Sequence, residues 1–207
     1  MTVTEGRMDN HVAVLRPDGA LTEAAVLLLH AVTRVDEQLL RAVRIRPSRR
    51  NWLRAPWYAY RRGGAITVGR TIWFTGIWFH AEGRGDGSPS STMHWLLHLA
   101  HEVGHLPQAE RFGHSLPGKL RYVTAFAGQY IKRAVLFRWP VHDGSPLERE
   151  AELGRQTLLH LLGGERENHP MVQAVHHQDA RLVAEWARRE YRHLASLAQA
   201  ARESLSA

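Results

Sequence analysis

The 207-residue sequence contains no cysteine. This absence excludes disulfide frameworks, thiolate zinc sites, iron–sulfur clusters and cysteine nucleophiles. Any metal ion must therefore be held by histidine and carboxylate side chains. Histidine, the commonest metal ligand, is abundant, with fourteen copies in the chain.

Long apolar runs are also missing. A helix that crosses a bilayer needs about 20 apolar residues, and the longest run here, residues 71–81, is interrupted by Thr75 and Gly76. Residues 1–10 carry two acids and no apolar core, so they do not resemble a secretory signal. Because 44% of residues are apolar and 23% are charged, we expect one soluble globular domain, or one domain with a helical appendage. Since no export signal is found, we expect it in the cytoplasm. Delivery by a secretion machine would leave the same sequence.

Acidic residues are absent from residues 38–81, a segment with nine arginines among tryptophans and tyrosines. The whole chain carries a formal net charge of +7. One interpretation is a groove for nucleic acid, anionic lipid or an acidic partner, in which guanidinium groups bind phosphate and rings stack. Its candidate binding residues are Arg49, Arg50, Arg61 and Arg62. The other interpretation, which we favour because no nucleic-acid-binding motif accompanies the charge, is a solvated connector.

Apolar periodicity predicts an α+β fold that is mostly α-helical, with a small β-hairpin or sheet before the middle helix. The predicted strands are 65–68 and 71–74. The predicted helices are 21–46, which Pro47 ends, then 92–106, 118–139, 146–162 and one long helix after Pro170.

Three parts of the chain follow from this organisation. Residues 1–62 contain the N-terminal helix and the basic aromatic connector. Residues 63–165 form the core, which contains the middle helix. Residues 166–207 form a C-terminal helix that packs on this core.

The middle helix contains the sequence His101-Glu102-Val103-Gly104-His105. Residues four apart lie one turn apart on the same helix face, so both imidazoles can reach one ion. Glu102 is adjacent and can take a proton from a water molecule on that ion. Gly104 removes a side chain where another element can approach closely.

A third ligand is needed for such a site, and the helix predicted at 146–162 offers one. Glu148 and Glu152 fall on one face of its first turns, and Ala151 leaves space at the contact. Glu150 is a rival for the third ligand. Three and four residues after it, however, come a leucine and a glycine, whereas Glu148 is followed at those positions by an alanine and an acid.

His-Glu-x-x-His on one helix, followed by Glu-x-x-Ala and an acid on a later helix, resembles the gluzincin zinc metallopeptidases, especially their small single-domain versions. The resemblance covers roughly residues 63–160. It implies a zinc ion held by His101, His105 and Glu148, with Glu102 as general base and Glu152 supporting a ligating histidine. Glu152 replaces the family's more usual Asp. His105-Leu106-Pro107-Gln108 is also similar to the His-x-x-Gln of HExxH domains linked to contractile injection systems.

Other histidines and tyrosines are candidates for further roles at this site. His94 and His98 continue the helix stripe of His101 and His105, but no carboxylate base lies beside them, and we interpret them as pocket-lining or surface residues. The family also uses a donor that stabilises the transition state. The candidates are Tyr122, Tyr130, His114 and His142, which the sequence does not rank.

The sequence thus predicts a zinc-dependent metallopeptidase-like hydrolase that acts on a peptide or protein. We expect an extended substrate to pair with a sheet edge near Ile72 to Phe74. The alternative is a non-catalytic metal-containing module whose arginine and aromatic segment, residues 41–70, binds nucleic acid or an acidic partner.

Overall fold

A computed structural model describes residues 12–48, 64–79, 88–136, 146–163 and 166–206. Over these ranges the protein is mostly helical with one three-stranded sheet, which confirms the predicted α+β class. Arg49, Arg50, Arg61 and Arg62, and with them the predicted anion-binding groove, lie outside the described residues. The elements are α1 (Glu23–Thr33), α2 (Glu37–Ala42), β1 (Arg44–Ser48), β2 (Ala65–Val68), β3 (Thr71–Thr75), α3 (Pro89–Gly104), α4 (Leu106–Phe112), α5 (Leu116–Val135), α6 (Pro146–Leu162), α7 (Pro170–His176) and α8 (Ala180–Ser206).

The single helix predicted from Leu21 to Pro47 is wrong. Arg34 adopts a left-handed conformation with φ 59° and ends α1, and Asp36 then caps α2 by accepting from two backbone N–H groups. Pro47 lies in β1, an outer strand of the described sheet, where a missing N–H is tolerated. The helical apolar spacing continues across the break because both short helices bury their apolar side in the same core.

The predicted hairpin is confirmed. β2 and β3 pair antiparallel, with Thr67 opposite Ile72, and Gly69 supplies the positive φ of the tight turn. β1, which was not predicted as a strand, pairs parallel to the other side of β3. The order β1-β3-β2 makes β3 the central strand, so the predicted substrate-binding edge at Ile72 to Phe74 is wrong.

The motif helix α3 begins three residues before its predicted start. Ser88 caps it by accepting from the Ser91 N–H, and Pro89 occupies the first turn. The helix ends at Gly104, before Pro107. Pro107 lies in the first turn of α4, where its missing N–H leaves no helical bond unmade.

The C-terminal part contains two helices where one was predicted. Gln178 has φ 59° and separates α7 from α8. His169 caps α7 by accepting from the Met171 N–H. Helix α6 has the bounds that the sequence predicted.

The core lies where α1 packs against α8 and α3 packs against α6. Helix α3 runs through it, with Trp95, Leu99 and Val103 fully buried. The sheet covers one end, where the Phe74 ring packs at a tilt against the ring of Trp95. Close packing of this kind holds the motif helix in one position. Among the described helices, none combines the length and apolar character needed to cross a bilayer.

Helix α5 does not bury the apolar side that its sequence spacing defines. Val123 and Ala127 share that side, and both are exposed, Val123 with 40% of its surface accessible. Tyr122 is instead the buried residue, with 3% exposed. The helix therefore turns a different face to the protein body than its apolar pattern indicates.

Candidate metal centre

Two glycines bring α3 and α6 into close contact. A Cβ atom placed on Gly104 would lie 2.6 Å from both Cα and O of Ala151, and one on Gly154 would lie 2.4 Å from Cγ2 of Thr33 and 3.1 Å from the carbonyl oxygen of Ala100. Real Cβ atoms do not come within 3.0 Å of other atoms, so only glycine fits at Gly104 against the Ala151 backbone, and at Gly154 any Cβ would displace the Thr33 side chain of α1. The expected close approach at Gly104 and the space left by Ala151 are one and the same contact.

This contact places Glu148 beside the two motif histidines. His101 Nε2 lies 3.2 Å from Oε2 of Glu148, and His105 Nε2 lies 3.7 Å from the same oxygen. The ligand atoms of the three residues all lie within 4.8 Å of one another. Within the described ranges, these three residues are the one group of histidines and acids that converges in this way. The structure thus forms a cluster able to hold a metal ion.

Both histidines use their other ring nitrogen in a hydrogen bond. His101 Nδ1 donates to Oε2 of Glu152 at 3.0 Å, and His105 Nδ1 donates to Oε1 of Gln108 at 3.0 Å. Such bonds fix the tautomer and orientation of a ligating imidazole. The Nε2 atoms of both rings are thereby the ones turned toward Glu148. Two imidazole nitrogens and one carboxylate oxygen form a donor set that suits zinc and neighbouring transition metals.

Gln108 connects the histidine side of the site to the start of α6. Its Nε2 donates to the backbone oxygen of Leu147 at 2.8 Å and to Oε2 of Glu150 at 3.2 Å. Gln108 is fully buried. One side chain therefore orients His105 and also holds the turn that carries Glu148. The sequence marks this residue only through the His-x-x-Gln similarity, which does not indicate its contacts.

Glu102 lies beside the cluster with 5% of its surface exposed. Thr67 of β2 places its hydroxyl 2.7 Å from Oε2 of Glu102 and 3.0 Å from the Glu102 backbone oxygen. The hydroxyl therefore anchors the carboxylate to the sheet. The sequence does not reveal the role of Thr67, because nothing in a four-residue strand indicates a contact with a helix 35 residues later.

Electrostatics concentrate positive charge on His101 when no cation is bound. Burial by itself lowers the pKa of His101, but the adjacent Glu148 and Glu152 carboxylates and the Glu102 charge together raise the pKa to about 10. The buried carboxylates thus favour a cation at this point. The same contacts act on the partner, since Glu152, although partly buried, has its pKa lowered by His101 and Arg155.

Aromatic side chains of α5 form one wall of the site. Phe126 packs edge-on against the His105 ring, with 5.2 Å between the ring centroids. Tyr122 packs against Phe126, with 4.9 Å between their ring centroids. Burial raises the pKa of Tyr122, and the charges of Glu102 and Glu148 raise it further. The ring contacts place Tyr122 one side chain away from His105. Among the described candidate donors, Tyr122 is the one that packs toward the cluster.

The remaining candidates lie apart from the cluster or outside the described side chains. His94 is exposed and pairs with its own helix through the Ser90 oxygen at 2.8 Å, and His98 packs on Trp78. His114 pairs with Glu110 at 2.7 Å. Glu150 pairs with Arg111 and Gln108, which leaves Glu148 as the acid that meets both histidines. The side chain of Tyr130 and all of His142 lie outside the described atoms.

Comparison with known proteins adds no relative. The chain matches no protein-family model, and no curated protein or solved structure is similar to it. The geometry of the site therefore carries the functional argument by itself.

Proposed function

We propose that this protein is a zinc-dependent metallopeptidase-like hydrolase. His101, His105 and Glu148 would hold the ion, and Glu102 would act as general base. The observation that carries the proposal is the convergence of the three ligand atoms within 4.8 Å beside a buried glutamate. Bound zinc would supply a water molecule of lowered pKa and would polarise a substrate carbonyl.

Three side chains of the protein would supply the proton transfer, the positioning of the base and the stabilisation of the oxyanion. Glu102 accepts a proton from the attacking water and passes it to the leaving amine. The Thr67 hydroxyl keeps the Glu102 carboxylate in one rotamer. Tyr122, whose ring packs on Phe126 beside His105, would donate a hydrogen bond to the developing oxyanion.

An extended peptide is the substrate that the sheet favours. β2 is an outer strand of the described sheet, and its Thr67 contacts Glu102. A peptide that pairs with β2 would bring a main-chain carbonyl to the general base. Cleavage of unrelated peptides of equal length tests this part. Strong dependence on one side chain would contradict recognition through the main chain.

Two substitutions separate the catalytic proposal from a purely metal-binding module. We expect Glu102→Gln to keep a stoichiometric metal ion and to lose peptide hydrolysis, because only the base is removed. We expect His101→Ala to lose both the ion and hydrolysis. Hydrolysis by Glu102→Gln at the wild-type rate would refute Glu102 as the base. Bound metal without any peptide hydrolysis by the wild type would favour the non-catalytic alternative.

A further inference from the structure

Helix α5 exposes an apolar face that the metal site does not use. Eight large apolar side chains are exposed in the described ranges, and six of them lie between residues 116 and 136. Their exposed fractions run from 40% for Val123 to 81% for Leu116. A cluster of this kind on one helix marks a binding surface, whereas scattered exposed leucines do not. The six are Leu116, Leu120, Val123, Ile131, Val135 and Leu136.

Five of these residues follow one side of the helix. The spacings of four, three, eight and four residues from Leu116 to Val135 keep their side chains within about a third of the helix circumference. Tyr122 and Phe126, on another side of α5, pack together toward His105. The apolar row is therefore not the side that packs on the protein body.

The charge of this helix has one sign. Its charged residues are Lys119, Arg121, Lys132 and Arg133, and no acidic residue occurs from 112 to 142. By helical position, Arg121 and Lys132 lie beyond the apolar row on one flank. Lys119 lies on the other flank, where its side chain comes close to Gly69 of the body. Apolar residues flanked by basic ones are the pattern of helices that lie in the interface of an anionic membrane.

We propose that this face of α5, defined by Leu116, Leu120, Val123, Ile131 and Val135, binds the surface of an anionic lipid bilayer. The apolar side chains enter the boundary between headgroups and acyl chains, and the basic side chains reach lipid phosphates. The helix lies parallel to the membrane and does not cross it. The metal cluster then lies on the opposite side of α5 from the lipid.

Charge and packing favour lipid over protein occupants. A second copy across a two-fold axis would bring the basic flanks of two α5 helices together, which opposes association. A protein partner that encloses the helix would need access to its whole circumference, but Tyr122 and Phe126 hold one side of α5 against the body. A bilayer needs only the one face that is exposed.

Co-sedimentation of the full chain with lipid vesicles tests the proposal. The probes are vesicles of phosphatidylcholine alone and of equal parts phosphatidylcholine and phosphatidylglycerol. We expect binding to the mixed vesicles only, and weaker binding at high salt because the charge attraction is screened. Leu120→Gln with Ile131→Gln should weaken binding by about tenfold or more, since it removes buried apolar groups.

Two further variants make the result specific. Arg121→Gln with Lys132→Gln should also weaken binding, while Leu182→Gln, at a leucine of α8 that is 44% exposed, should bind as the wild type does. Melting temperature and metal content check that each variant is folded. Absence of wild-type binding, or binding that Leu120→Gln with Ile131→Gln leaves unchanged, would overturn the proposal. A dimer in solution that this double variant dissociates, without vesicle binding, would assign the face to a second copy.

Discussion

The Thr67 hydroxyl lies 2.7 Å from Oε2 of Glu102, so the small sheet holds the side chain that we propose as the general base. Thr67 is 3% exposed and Glu102 5%, and the bond is therefore shielded from water. A hydrogen bond to a charged group contributes about 1.5–3 kcal/mol. The hairpin thus has a direct part in the site as well as in the fold.

Thr67→Val tests this contact. Valine keeps the shape of threonine and removes the hydroxyl, so Glu102 loses its anchor while the packing is preserved. We expect kcat for peptide hydrolysis to fall by about tenfold or more with metal content unchanged. Thr67→Ser, which keeps the hydroxyl, should recover most of the loss. Equal kcat for Thr67→Val and the wild type would refute a positioning role for Thr67.

Gly104→Ala tests the contact between α3 and α6. The added methyl group would meet backbone atoms of Ala151 at 2.6 Å, and backbone cannot move aside cheaply. We expect a loss of about 1–3 kcal/mol in the free energy of unfolding and weaker metal binding, because Glu148 is displaced.

Gly128→Ala is the matched control for Gly104→Ala. Gly128 lies in α5, where nothing lies within 4 Å of an added Cβ. The substitution should leave metal binding unchanged and stabilise the helix by up to about 1 kcal/mol. Chemical unfolding and a metal titration measure both effects. Equal behaviour of the two alanine variants would show that close helix contact does not shape the site.

Glu152→Leu tests the support of His101. Leucine removes the acceptor for His101 Nδ1, so the ring loses the bond that fixes its tautomer. We expect the metal affinity to fall by about tenfold to a hundredfold, measured by competition with a chromophoric chelator. Glu152→Gln keeps an acceptor oxygen and should lose less. An unchanged affinity for Glu152→Leu would remove Glu152 from the site.

Metal binding should release a proton from His101. Because the adjacent carboxylates raise the pKa of His101 to about 10 without metal, the imidazole carries a proton at neutral pH that a cation must displace. Metal affinity should therefore rise with pH up to about 10. Calorimetry in buffers of different ionisation enthalpy counts the protons released. A count of zero at pH 7 would contradict this arrangement.

The raised pKa of His101 also makes the free energy of unfolding of the metal-free protein depend on pH. The folded-state pKa of His101 lies above the unfolded value of about 6.5, so its ion pairs stabilise the fold fully below that value. This stabilisation is lost as the pH rises toward 10. Urea unfolding of the metal-free chain at several pH values measures it. His101→Gln should flatten this part of the profile.

Local patterns in the sequence predicted the parts of the fold that depend on neighbours in the chain. The spacing of His101 and His105, the bounds of α6 and the hairpin around Gly69 each follow from a few adjacent residues. The breaks at Arg34 and Gln178 were missed because ordinary side chains there adopt the left-handed conformation usually left to glycine. β1 was missed because the helical spacing of the preceding apolar residues and the stop at Pro47 favoured one continuous helix over this segment.

The parts of the site that depend on contacts between distant residues could only partly be predicted from the sequence. Glu148 was predicted beside the histidines by its pattern, and the structure brings them together. The roles of Thr67 and Gln108 depend on contacts across 35 and 39 residues, which no local spacing encodes. Our proposal of Tyr122 as the donor likewise depends on the orientation of α5.

Metal analysis of the full chain, purified without an affinity histidine tag, tests the central claim most directly. The account predicts about one zinc ion per chain in the wild type and in Glu102→Gln. It predicts almost none in His101→Ala and in Glu148→Ala. A wild-type chain that holds no zinc even after incubation with excess zinc, or a Glu148→Ala variant that binds it as tightly as the wild type, would contradict the account.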